Sequence, residues 1–149
     1  MTFRTIIGNL YLYANEEAVI SVAFSSKSFP DLIEQETPLL EKTKEQLTEY
    51  FAGKRTDFDL PLQAVGTIFQ KQVWTALQTI PYGETRSYKQ IADRIGNPKA
   101  CRAVGLANNR NPIPIIIPCH RVIASDGKLQ GYAGGLEIKE RLLGIEKAN

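Results

Sequence analysis

The chain has 149 residues, 43% of them hydrophobic and 23% charged, with a formal net charge of +2. That length suits one ordinary domain or two small ones, with the balance of a soluble globular protein. No apolar run approaches the ~20 residues that cross a bilayer, and the first residues lack a signal-peptide core, so a cytoplasmic protein without membrane contact is expected. Two cysteines and one histidine cannot build a disulfide framework, and there is no CxxC pair. Structural zinc is therefore not expected, nor any other metal or cofactor. Residues 1–62 carry six Lys/Arg against ten Asp/Glu, and residues 63–149 carry twelve against six. The second part is thus the candidate for an anionic partner such as nucleic acid.

The opening segments "RTIIG", "NLYLYA" and "AVISVAFSS" are rich in β-branched and aromatic residues, with "GN" and "NEE" as turn material between them. Their short spacing predicts an antiparallel meander. A helix follows, with Thr37 as N-cap, Pro38 in its first turn, Leu39, Leu40, Thr43, Leu47 and Phe51 at helical intervals, and Gly53 as its stop. "KRTDFDLPLQAVG" reads as a linker that reaches to about residue 66. A second helix is predicted from the Thr67 cap to Pro81, with Phe69, Val73, Trp74 and Leu77 on one face.

Two shorter helices, "SYKQIADRIG" and "PKACRAVGLANN", are joined by a very short turn. They fit a helix-turn-helix, although by spacing alone an αα-hairpin in a helical core is the commoner source of such a pair. "RNPIPIII" reads as a stiff, extended segment because of Pro112 and Pro114. After it come the turn "SDG", a glycine pair, and a closing helix "LEIKERLLGIE". Strands first and helices afterwards make the fold α+β, with domains expected at 1–62 and 63–149.

"IIIPCHRVI" sets Cys119 beside His120, the only histidine of the chain. Taken singly, each is more often packed or satisfied in the fold than reactive. As a pair at a Pro-terminated strand end they suit chemistry: a free thiol is mostly protonated at neutral pH, and an imidazole can accept its proton. Neighbouring side chains of an extended segment face opposite ways, so contact needs a turn or a bridging water. An acid should orient the imidazole. Glu84, Asp93, Asp126, Glu137, Glu140 and Glu146 are all candidates by spacing.

"NPIPIIIPCHRVI", preceded by "RAVG" and followed by "GYAGGL", resembles the O6-alkylguanine-DNA alkyltransferases. The resemblance runs from about Gly66 to Glu146, and the first half is similar to that family's small ribonuclease-H-like domain. It implies double-stranded DNA containing O6-alkylguanine as partner and irreversible transfer of the alkyl group to Cys119, once per molecule, by a protein expected to be a monomer. O4-alkylthymine is implied as a further substrate. His120 is implied to be the base, acting through a water, with Glu146 as the acid behind it. Asn111 is the implied hinge. Tyr88 is implied to turn the target phosphate and to donate a proton to guanine N3. Arg102 is implied to fill the space left by a flipped nucleotide, and Ala103, Gly105 and Asn109 are the further implied DNA contacts. Pro114, Val122, Tyr132, Ala133 and Gly134 are implied to shape the pocket.

A guanine O6 lies inside the stack, so acting on it requires extrusion of the nucleotide, at a few kcal/mol. The family sets its helix in the minor groove, where the residues alone would have suggested the major one. The zinc site of some relatives has no ligands here, since residues 1–62 hold neither Cys nor His. Cys101 has no implied role. Two other classes fit parts of the pattern: a non-reacting sensor of alkylated DNA, and an unrelated hydrolase with a Cys–His pair.

Overall fold

The computed structural model describes residues 1–27 and 36–147. Strands β1 (Thr2–Thr5), β2 (Gly8–Ala14) and β3 (Val19–Ala23) form an antiparallel meander in that order. Leu10 and Leu12 of β2 are fully buried, and their neighbours Tyr11 and Tyr13 only partly so, which is the period of a half-buried strand.

The first strand ends earlier than its composition suggests. Ile6 and Ile7 form the hairpin turn, in which Thr5 Oγ1 accepts from Ile7 N (3.1 Å) and donates to Gly8 O (2.7 Å). Gly8, at φ +103°, supplies the backbone that closes the turn. Turn chemistry here overrides β-propensity. The "NEE" turn is built by Asn15, whose Oδ1 accepts from Glu17 N and Ala18 N, both at 2.8 Å.

Helix α1 (Pro38–Phe51) starts as predicted, with Thr37 Oγ1 accepting from Leu40 N at 3.2 Å. Its buried face is Leu40, Thr43, Gln46, Leu47 and Tyr50. Leu39 and Phe51 are only half-buried, so the face is rotated from the predicted one towards Gln46 and Tyr50. A cap is worth about 1 kcal/mol, and a buried leucine about 1.5–3 kcal/mol, so packing on the sheet fixes the helix. The expected linker does not hang free. Val19 N donates to Pro61 O, and Gln63 N donates to Val19 O, both at 2.9 Å, so the segment runs along β3.

The second part contains α2 (Ile68–Leu77), α3 (Tyr88–Arg94), α4 (Cys101–Asn109) and α5 (Leu136–Lys147). Thr67 and Ser87 each make a full capping box, with Gln70 and Gln90. Gly96, at φ +76°, closes the turn between α3 and α4. Trp74 Nε1 donates to Ala107 O at 2.9 Å and ties α2 to α4. A two-residue parallel pairing that the sequence did not suggest joins β4 (Arg86–Ser87) to β5 (Val122–Ile123). One continuous core runs from Leu10 and Leu47 to Trp74, Ile113 and Leu142. Among the described residues no helix is long and apolar enough to cross a membrane.

The Pro-rich segment corrects an expectation. Residues 113–117 turn back on themselves instead of extending: Ile117 N donates to Ile113 O at 2.9 Å, and Pro114 bridges to Ile117. Ile115 takes φ +74°, a rare conformation for a β-branched residue, and is fully buried. Asn111 holds this turn from inside. Its Nδ2 donates to Ile117 O (2.8 Å), and its Oδ1 accepts from Ile113 N (2.9 Å).

Candidate active site and nucleic-acid interface

Cys119, His120 and Arg121 form a single 3-10 turn after Pro118, so the two neighbours do not lie on an extended strand. All three are buried. His120 Nε2 lies 2.6 Å from Glu146 Oε2 near the end of α5. Among the described residues His120 Nδ1 is buried without a hydrogen-bond partner, so the ring makes no direct bond to the sulfur. Proton transfer between Sγ and Nδ1 would therefore need a mediator or a movement of the ring.

Glu146 is the centre of a dense donor set. Besides His120 it receives Arg121 Nε on Oε1 (2.8 Å), Arg121 Nη2 on Oε2 (3.1 Å) and Tyr50 Oη on Oε2 (2.6 Å). Burial alone would raise its pKa, but the donors His120, Arg121 and Tyr50 outweigh burial and hold it at about 2. The carboxylate is thus charged at any working pH. Arg121 is anchored further by Ile80 O (2.8 Å) and stacks over the Tyr82 ring at 5.6 Å. Burial lowers the His120 pKa below its usual value, against the opposing pull of Glu146. The imidazole is accordingly neutral and can act as a base.

The thiol of Cys119 is pushed up to about 11 by burial, with the Asn111 side chain and the Lys139 ammonium acting in the opposite direction. At pH 7 such a thiol is ionised in about one molecule in ten thousand. To act as a nucleophile such a thiol would need a proton acceptor, a part that a neutral imidazole can take.

Tyr88 stands at the start of α3 with its hydroxyl donating to Gln130 O at 2.9 Å. Burial, and then the nearby Cys119, raise its pKa. Lys139 Nζ donates to the same carbonyl at 2.7 Å and to Gly131 O at 3.4 Å. Burial lowers Lys139 to about 8. Tyr88 and Lys139 thus clamp the loop that carries Tyr132, Ala133 and Gly134. Tyr132 meets Phe24 edge-on, with ring centroids 5.7 Å apart, and its hydroxyl is buried without a partner among the described residues. Phe24 also covers Gly134, where an added Cβ would lie 3.0 Å from the ring. Ala133 is exposed, Val122 opens β5, and Pro114 lies inside the buried turn.

Helix α4 buries Val104, Ala107 and Asn108 and exposes Arg102, Ala103, Leu106, Asn109 and Arg110 along one face. Gly105 faces the Tyr88 ring, where an added Cβ would lie 3.8 Å away. Its N-cap, Ala100, makes no side-chain bond, whereas Thr37, Thr67 and Ser87 all cap their helices. Asn108 Nδ2 donates to Cys119 O at 3.3 Å and couples α4 to the cysteine turn.

Sequence reasoning missed Tyr50, Asn108, Arg121 and Lys139. For Lys139 a signal existed: Lys139, Leu142 and Glu146 recur at helical spacing on the buried face of α5. Leu106, 60% exposed on the open face of α4, was also overlooked.

The fold and site define a class: a buried cysteine backed by a His–Glu pair, reached from a helix-turn-helix with an open face. The chain belongs to the 6-O-methylguanine DNA methyltransferase family, with residues 68–148 matching its DNA binding domain and residues 1–64 its ribonuclease-like domain. A methylated-DNA–protein-cysteine methyltransferase of Methanosarcina acetivorans is 53% identical, covering 97% of this chain and 95% of its own. The constitutive enzyme of that name from Bacillus subtilis is 49% identical, over 98% and 93% of the two chains. The structure of Mycobacterium tuberculosis OGT in complex with DNA superposes with a TM-score of 0.92 at 48% identity, covering 99% and 91%.

Proposed function

We propose that this protein repairs DNA by taking the alkyl group of O6-alkylguanine, and of O4-alkylthymine, onto Cys119. His120 accepts the thiol proton through a water at Nδ1 while Glu146 holds Nε2. The sulfur attacks the alkyl carbon, the S–C bond forms as the C–O6 bond breaks, and guanine leaves with its electrons on O6. Tyr88 balances that charge by giving a proton to N3, for which it must let go of Gln130 O. The product is a thioether, and nothing at the site regenerates the thiol. One observation carries the reading: a buried cysteine in one turn with a histidine whose Nε2 lies 2.6 Å from a buried carboxylate.

The exposed face of α4 supports a DNA-binding role. Arg102 would fill the stack, Ala103 and Gly105 would allow close approach, and Asn109 would contact the strand from the outer edge. The uncapped start of α4 suits a phosphate. Pro114, Val122, Tyr132, Ala133 and Gly134 would line the pocket for the flipped base. The protein would act as a monomer in the cytoplasm, with residues 1–62 and 63–149 as its two domains.

Cys119→Ser tests the acceptor. The variant should bind O6-methylguanine duplex as tightly as wild type and transfer nothing; methyl transfer by it would refute the assignment. Arg102→Ala should slow repair of duplex more than reaction with free O6-benzylguanine. Equal losses on both substrates would remove the stack-filling role.

A further inference from the structure

Tyr50 belongs to α1, 96 residues before Glu146, yet its hydroxyl meets the same carboxylate oxygen as His120, each at 2.6 Å. The phenol is fixed by the rings of Phe51, Phe58 and Tyr82, with centroids 5.5, 5.6 and 6.2 Å away. We propose that Tyr50 is a positioning residue for alkyl transfer: by sharing Glu146 Oε2 it restrains the pull of the carboxylate on His120 and keeps the imidazole free to accept the Cys119 proton. The proposal rests on the reading of Cys119, His120 and Glu146 given above.

Tyr50 and His120 compete for one carboxylate oxygen. A carboxylate oxygen that already accepts one short, charge-assisted hydrogen bond is a weaker acceptor for a second. Arg121 occupies Oε1 and reaches Oε2, so Oε2 is divided between Tyr50, His120 and the edge of a guanidinium. Without the phenol, the carboxylate would favour the imidazolium more strongly. A His120 that is already protonated cannot take a proton from sulfur.

The other charged and titratable groups around the imidazole act from several sides. Arg121 belongs to its own turn and Lys139 to α5, while Tyr82 and Tyr132, in the loops before α3 and α5, interact with Tyr50. Arg121 and Lys139 both disfavour a positive ring. Tyr50 works in the same direction without carrying charge. Burial, then the neighbouring Glu146, push the Tyr50 pKa far up, so the hydroxyl remains a donor throughout the working range. The N-terminal half thereby reaches Glu146 through the Tyr50 hydroxyl.

The test is the pH dependence of single-turnover methyl transfer from O6-methylguanine duplex, measured for wild type, Tyr50→Phe and Leu47→Val. His120 is the only histidine, so its imidazole resonances give an independent titration in the same proteins. In Tyr50→Phe the acid limb should move to higher pH by about half to one unit, giving a several-fold loss at low pH that closes as pH rises. The resonance midpoint should move the same way. Leu47→Val, a packing change on the same helix, should lower the melting temperature and leave the limb in place. An unmoved limb in Tyr50→Phe, with rates unchanged or uniformly reduced, overturns the proposal. So does an equal displacement in Leu47→Val, which would report loosened packing. Wild-type protein that transfers no methyl group at any pH overturns the functional reading and this proposal with it. Wild-type transfer with an unmoved limb overturns this proposal alone.

Discussion

Arg121 and Glu146 form a two-point ion pair in the interior, Nε to Oε1 at 2.8 Å and Nη2 to Oε2 at 3.1 Å. Both residues are buried, at 6% and 3% exposure. A pair of this kind is costly to break from one side, because the remaining charge is left in a medium that does not solvate it.

Arg121→Met should therefore destabilise the protein by about 3–5 kcal/mol. Arg121→Lys keeps the charge but loses the planar fork, and should fall between Met and wild type. Urea unfolding at neutral pH measures both. A loss below about 1 kcal/mol in Arg121→Met would mean that His120 and Tyr50 suffice for Glu146.

Stability should fall with acid in two stages. The pKa values of His120 and Glu146 are both lower in the folded protein than their usual 6.5 and 4.5. The unfolded chain therefore binds more protons as pH drops, and stability present above those values is lost below them. The decline should begin below about pH 6.5 through His120 and steepen between 4.5 and 2 through Glu146. Glu146→Gln should lower the plateau and abolish the steeper stage. Unfolding free energy measured across that range checks the shape.

The two thiols should differ in reactivity towards a general reagent. Cys101 is partly exposed, and Cys119 is buried with its pKa pushed up to about 11. Iodoacetamide at neutral pH should label the Cys101 peptide first, with Cys119 following only at higher pH or on unfolding. Faster labelling of Cys119 would show a thiolate already formed in the free protein.

Gly131 takes φ +52°, and a Cβ there would lie 2.8 Å from Asn109 Nδ2. Gly131→Ala should cost about 1–2 kcal/mol in backbone strain and displace Asn109. It should also disturb the carbonyls at Gln130 and Gly131 that Tyr88 and Lys139 hold. Repair of duplex should slow several-fold with only a modest drop in melting temperature. An unchanged rate would show that this loop adjusts freely.

Features built from neighbouring residues were legible in the sequence. Thr37 and Thr67 cap the helices they were predicted to cap, and Ser87 caps the helix expected to start at it, because a cap is a contact between residues three apart. The strand–helix order followed from period and turn residues. The Cys119–His120 pair was visible as a motif, but its geometry was not, since a 3-10 turn at "CHR" carries no local signature. The fold of "NPIPIII" was misread because proline stiffens a chain without fixing its direction. Here the side chain of Asn111 and the left-handed Ile115 bend it back. Tyr50 was illegible for a simpler reason: its partner lies at the other end of the chain, and a tyrosine on an amphipathic helix looks like any other core residue.

Cys119 as alkyl acceptor is tested most directly by mass. Intact protein should be incubated with one equivalent of O6-methylguanine duplex, digested and weighed by mass spectrometry. The peptide holding Cys119 should gain the mass of one methyl group, the Cys101 peptide none, and a second equivalent of duplex should remain unrepaired. An unchanged Cys119 peptide from protein that has bound the duplex would show that Cys119 is not the acceptor.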